Sequence, residues 1–194
     1  MSDTSKSNEK ITSKVSIEYP DFTKLPADVR KKFDELPTKV NFFRMVGHSP
    51  GAFIPMIDLT NAIFRNLNIS DYHKELIVLL VAAHESVTYE WEQHVSIAQA
   101  AGVRQDQFVA IAEARIDDTS AFDEQERILL RFGQSILLKG KAPGVLFKHA
   151  LEHFSISELS DAIIVLGYYR MLAGYIRTFD IPIDAQEDGK WIKG

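Results

Sequence analysis

From Lys74 to Ala83 the chain reads KELIVLLVAA, and after its first two residues not one position is polar. A helix with a solvated side would interrupt such a run every third or fourth residue. A run that is apolar all the way round belongs to a helix enclosed by others. The flanking segments carry the helical period as well, and no stretch sustains the alternation of a half-buried strand. Helices are expected over 26–36, over NFFRMV (41–46), from Ser49 with Pro50 in its first turn, over 70–86, from Thr88 to a close at Gly102, and over 105–115, 123–140, 142–154 and 157–179. Pro55 is expected to end or bend its helix early, unless it too lies in the first turn or so. Loops between these segments are short, which favours an all-α helical bundle of antiparallel hairpins.

The 194 residues are 45% hydrophobic, enough for one core. Residues 1–18, rich in Ser, Thr and Lys, read as a mobile arm, and 19–194 as a single domain. A net charge of −5 gives no electrostatic reason to expect nucleic acid or an anionic membrane as partner. The chain has no cysteine, which excludes disulfides, thiolate chemistry and cysteine-ligated metals. No signal peptide or membrane-length apolar run is visible, so a cytoplasmic location is expected. Dinucleotide and P-loop glycine motifs are also missing, and no cofactor is expected.

One cluster stands out as chemistry. On the helix beginning at Thr88, Glu90 and His94 lie one turn apart in a row that continues through Ile97 and Ala101, so both polar groups sit where burial is expected. Glu75, on the preceding apolar helix, fills no capping position and can approach the same row if the two helices form a hairpin. A carboxylate beside an imidazole fixes its tautomer and raises its basicity, and a second carboxylate in a dry pocket is pushed towards its neutral form. Such a set can move protons near neutral pH. An ordinary surface Glu/His contact gives the same spacing. His149 and His153, also one turn apart, lack a visible third ligand and read as a solvated pair, so no metal is expected. His73 and His84 read as structural.

At these residues the chain resembles the carboxymuconolactone decarboxylase family, which includes the alkylhydroperoxidase D-like proteins. The resemblance rests on Glu75 in KELIVLLVAA, then Tyr89, Glu90, Trp91 and His94, then IAQAAGV (97–103), with NFFRMVGHSPG (41–51) upstream, and DEQERILLRFGQSIL and the tyrosine-rich GYYRMLAGYI downstream. It covers roughly 25–182. Peroxidase-type members carry two cysteines at positions that here are Val87 and Glu90, so the resemblance points to the cysteine-free, decarboxylase-like branch. Lys74-Glu75 departs from the Arg-Glu frequent in the family. The resemblance implies an all-α fold, a homo-oligomer (trimer or hexamer) and decarboxylation without metal or organic cofactor.

The expected activity is therefore cofactor-independent decarboxylation of a carboxylated lactone or β-keto acid. His94 would deliver or shuttle the proton, Glu90 would orient the imidazole, and Glu75 would serve as a second acid/base. Arg44, with apolar flanks, is the candidate anion clamp. His48, Phe43, Trp91 and Tyr169 are candidate substrate contacts, although the loop histidine can simply shape its turn and Tyr168, Tyr169 and Arg170 can simply pack. A non-catalytic oligomer of the same fold, binding a small hydrophobic ligand or a protein, is the alternative.

Overall fold

The computed structural model describes residues 16–184. The expected N-terminal arm lies outside them, apart from 16–18. Nine α-helices make up the described chain: α1 (Ala27–Asp34), α2 (Asn41–Val46), α3 (Pro50–Arg65), α4 (Asp71–Glu85), α5 (Thr88–Ala100), α6 (Gln105–Ala112), α7 (Glu124–Lys139), α8 (Gly144–Ala150) and α9 (Ile156–Thr178). A single 3₁₀ turn precedes α1, and no strand occurs among the described residues.

The apolar run becomes the hub. Every residue of α4 from Lys74 to Ala82 is buried, and the helix packs against α5, α6, α7 and α9. Its start is set by Ser70, whose hydroxyl accepts from the His73 N–H, and its end by Ser86 in the left-handed conformation. That turn folds α5 back antiparallel on α4. Capping boxes begin α7 (Asp123 with Glu126) and α9 (Ser155 with Glu158), and Gly140, at φ +74, closes α7.

Two helices depart from expectation. Pro55 does not end α3, which runs on to Arg65. The carbonyl its missing N–H would have bonded belongs to Gly51, and both residues are exposed near the helix start, where that carbonyl is open to solvent. α8 stops at Ala150, and 151–153 form turns with Phe154 folded back into the core.

Buried polar groups tie the elements together. The Tyr72 hydroxyl of α4 donates to Glu126 of α7, and the Gln107 amide of α6 donates to that hydroxyl at 2.7 Å. Asp161 of α9 accepts from the backbone N–H groups of Asn68 (2.6 Å) and Ile69 (3.2 Å), holding the loop that leads into α4. Asp184 accepts from the Asn41 N–H at 2.7 Å and from the Tyr89 hydroxyl, so residues from the far end of the chain cap the start of α2. These bonds satisfy groups that would be costly to leave unpaired.

Candidate active site

Four helices present side chains to one cavity of about 360 Å³. α3 contributes the stripe Ile57, Thr60, Asn61, Phe64 and Arg65, at successive helical spacings. α5 contributes Tyr89, Glu90, Gln93 and His94, and α9 contributes Tyr168, Tyr169, Leu172 and Ile176. Phe42 and Phe43 of α2 close part of the wall. The lining is mainly aromatic and aliphatic, with acid–base groups at few points, the usual make-up of a small-molecule site.

His94 is 4% exposed. Its Nδ1 lies 2.7 Å from Oε2 of Glu75, which is fully buried. With Nδ1–H donating to that carboxylate, Nε2 is the proton-accepting position of the neutral ring. The edge of Tyr169 meets the imidazole at a centroid distance of 5.0 Å, and Phe64 stacks at 6.2 Å, so the ring is clamped on two sides. Behind Glu75 stands Lys74, 2% exposed, its ammonium 3.8 Å from Oε1 of Glu75, 2.7 Å from Asp71 and over the Phe64 ring. Glu75 is thus flanked by an imidazole on one oxygen and an ammonium near the other.

Glu90 is in the opposite situation. It is 2% exposed, and neither carboxyl oxygen has a hydrogen-bond partner among the described residues. Burial, followed by the negative charge of Glu85, pushes its carboxyl up to about 8. At neutral pH Glu90 is therefore mainly a neutral acid, able to donate a proton. Burial also lifts Tyr168 to about 12 and Tyr169 well above its ordinary range, so both hydroxyls stay protonated. The Thr60 hydroxyl donates to the Met56 carbonyl at 2.8 Å, which leaves Tyr168 as donor in the short Thr60–Tyr168 bond.

The structure brings together Glu75, Glu90, His94, Phe43 and Tyr169. It exchanges two of the expected parts: Glu75 rather than Glu90 holds the imidazole, and Glu90 stands unpartnered. In the hairpin α4 lies along the inner side of α5, so the carboxylate from the neighbouring helix meets Nδ1. Glu75 stands behind His94 and does not itself line the cavity, and three further residues lie away from it. Arg44 is exposed, its Nε donating to the Lys39 carbonyl at 2.9 Å. Its apolar neighbours do not place it in a pocket, because adjacent residues of a helix point about 100° apart. His48 is exposed and hydrogen-bonded to the Glu18 carbonyl at 2.8 Å. Trp91 points to the other side of α5, against the edge of Phe108 and beside Ala82, Ser86 and Ala112. The basic residue that does line the cavity is Arg65, at the end of α3. The sequence carries a signal for it, since Thr60, Asn61 and Arg65 interrupt the stripe begun by Ile57. Lys74 has a signal too, sharing a row with Val78 and Val81.

No protein-family model matches the sequence, and no curated protein matches it by sequence. Solved structures do match its fold. A peroxidase-related protein of Ralstonia eutropha JMP134, described as an alkylhydroperoxidase AhpD core, superposes with a TM-score of 0.74 at 16% identity, over 88% of this chain and 92% of that one. A peroxidase-related protein of Silicibacter sp. TM1040 gives 0.73 at 15%, over 95% and 100%. A cysteine-to-alanine variant of the debrominase Bmp8, in complex with 2,3,4-tribromopyrrole, gives 0.69 at 16%, over 89% and 94%. This chain thus has the alkylhydroperoxidase D-like fold.

Proposed function

We propose that this protein is a cofactor-independent acid–base enzyme that decarboxylates a small, largely apolar carboxylated lactone or β-keto acid. The observation that carries the reading is the pair of differently tuned groups on one cavity: a neutral acid, Glu90, and an imidazole, His94, polarised by the buried Glu75 carboxylate. The Bmp8 neighbour, with a substituted pyrrole bound, supports a compact cyclic ligand in a fold of this kind. Thiol chemistry has no counterpart here, because this chain has no cysteine.

The cavity receives the apolar body of the substrate among Phe43, Phe64 and Tyr169, and Arg65 attracts its carboxylate. Loss of CO2 breaks the bond between the carboxylate carbon and the carbon next to the substrate's carbonyl. The electron pair passes into that carbonyl as an enolate, and Glu90 gives its proton to the carbon. His94 returns a proton to Glu90 from solvent, with Glu75 holding the ring in its tautomer and steadying the transient imidazolium. A well-placed proton donor supplies about 10²–10⁴-fold, roughly 3–5 kcal/mol of barrier. Removing the substrate carboxylate from water into an aromatic cavity favours loss of its charge as CO2.

The test is CO2 release over a panel of γ-lactone carboxylates and β-keto acids. Wild type is compared with Glu90→Gln and His94→Ala, with helicity and assembly checked for each. Turnover by wild type and losses of at least about 100-fold in both variants are expected. Full activity in Glu90→Gln would remove it from the proton-donor role. An inert wild type that nonetheless binds apolar carboxylic acids in the cavity would favour the ligand-binding alternative.

A further inference from the structure

Away from the cavity, α8 and the turn after it carry His149 and His153, and the first residue of α7 is Glu124. One potential ligand atom from each of these three side chains lies within 4.8 Å of the other two. The two imidazoles meet edge-on at a centroid distance of 5.6 Å. Sequence spacing offers the histidine pair without a third ligand, and the fold supplies one from a different helix. We propose that Glu124, His149 and His153 form a binding site for a divalent transition-metal ion, with zinc as the fitting member. Two neutral imidazole nitrogens and one carboxylate oxygen are a donor set that zinc takes, leaving a fourth position for water.

The backbone of each ligand is fixed independently of any ion. Ala150 and Phe154, the residues following each histidine, are buried and set the rotation of the segment so that both rings project towards α7. The Gln125 amide donates to the His153 carbonyl at 3.0 Å and joins that turn to the start of α7. Glu124 sits immediately inside the Asp123–Glu126 capping box, whose two backbone bonds of 2.9 and 2.8 Å hold the first turn. The side chains, in contrast, remain at least partly accessible, so an ion can reach them from solvent. Tetrahedral zinc ligands at about 2.0–2.2 Å from a common centre stand about 3.3–3.6 Å apart, so side-chain rotations that move the ligand atoms together by at most about 1.5 Å close the set. Glu152, its carboxylate 3.8 Å from Nε2 of His149, adds a negative charge at the edge of the site. An ion held there would clip α8 and the turn after it to the start of α7. Metal binding at this site is independent of the proposed decarboxylation.

The experiment is calorimetric titration of zinc chloride into the tag-free full chain, alongside Glu124→Gln, His149→Ala, His153→Ala and His94→Gln, with thermal melts with and without the metal. One ion per chain is expected to bind in the micromolar range and raise the melting temperature. Each of the first three substitutions should weaken binding at least 10-fold and abolish the rise, and His94→Gln should leave both unchanged. Glu124→Gln alters an exposed side chain and guards against loss of binding through misfolding. Wild-type binding no tighter than that of the His149→Ala and His153→Ala variants, or binding lost only in His94→Gln, would overturn the proposal.

Discussion

Replacing Glu90 with glutamine should stabilise the protein, and by an amount that grows with pH. In the folded chain the Glu90 carboxyl is pushed from an ordinary value of 4.5 to about 8, chiefly by burial. A carboxyl with a raised folded-state value favours folding only while it keeps its proton. That contribution is fully present below 4.5 and is lost as pH rises towards 8, because the unfolded chain has already ionised while the folded one resists. Glutamine has nearly the same shape and never ionises, so the difference between variant and wild type reads out the Glu90 ionisation alone. It amounts to roughly 1 kcal/mol at pH 5, about 3 at pH 7 and about 5 at pH 9, since each tenfold change in proton affinity is worth about 1.4 kcal/mol. In a chain of this size, 3 kcal/mol corresponds to a melting temperature higher by about 6–12 °C. Urea unfolding at the three pH values measures it directly. A variant-minus-wild-type difference that stays flat across pH would refute a buried, neutral Glu90, and with it the assigned proton donor.

The remaining expectations concern the site and its support. The kcat of the proposed reaction should fall as pH rises through about 8, the point at which Glu90 loses its proton, and a pH–rate profile in saturating substrate checks this. Glu75→Ala takes the carboxylate away from the buried Lys74 ammonium and the Nδ1–H of His94, and chemical denaturation should show a loss of about 3–5 kcal/mol. Phe53, fully buried between Phe22 and Phe33, should cost about 3–5 kcal/mol when cut to alanine, again by denaturation. Tyr89→Phe removes one of the two bonds that hold Asp184, and amide exchange at Asn41, which the same carboxylate caps, should rise by about 10- to 100-fold, in line with a bond to a charged group worth roughly 1.5–3 kcal/mol.

Individual residues show why some of the site is legible in sequence and some is not. Glu90 and His94 stand out because polar groups in a row ending at Ile97 and Ala101 contradict the helical pattern, and both are buried. Glu75 is conspicuous for a similar reason, in front of a run with no polar residue. Arg44 misleads, since apolar neighbours in sequence are not neighbours on a helix surface, and its side chain bonds the Lys39 carbonyl instead. Arg65 and Lys74 are readable in principle from their rows, but each looks like an ordinary surface cation until the packing partner is known. The Glu124–His149–His153 grouping spans two helices and a turn, and no spacing rule within one segment reaches it.

The sequence by itself determined that the chain is helical, which helix is central, where most helices begin, and that thiol chemistry is absent. These follow from local information: the period of apolar residues, the caps, and the identities of side chains. Only the tertiary structure decided that Glu75 holds His94 while Glu90 is left without a partner among the described residues, and that Arg65 rather than Arg44 reaches the cavity. Those outcomes depend on the rotation and register of one helix against another. Both are set by how whole surfaces interlock, and no single segment encodes them.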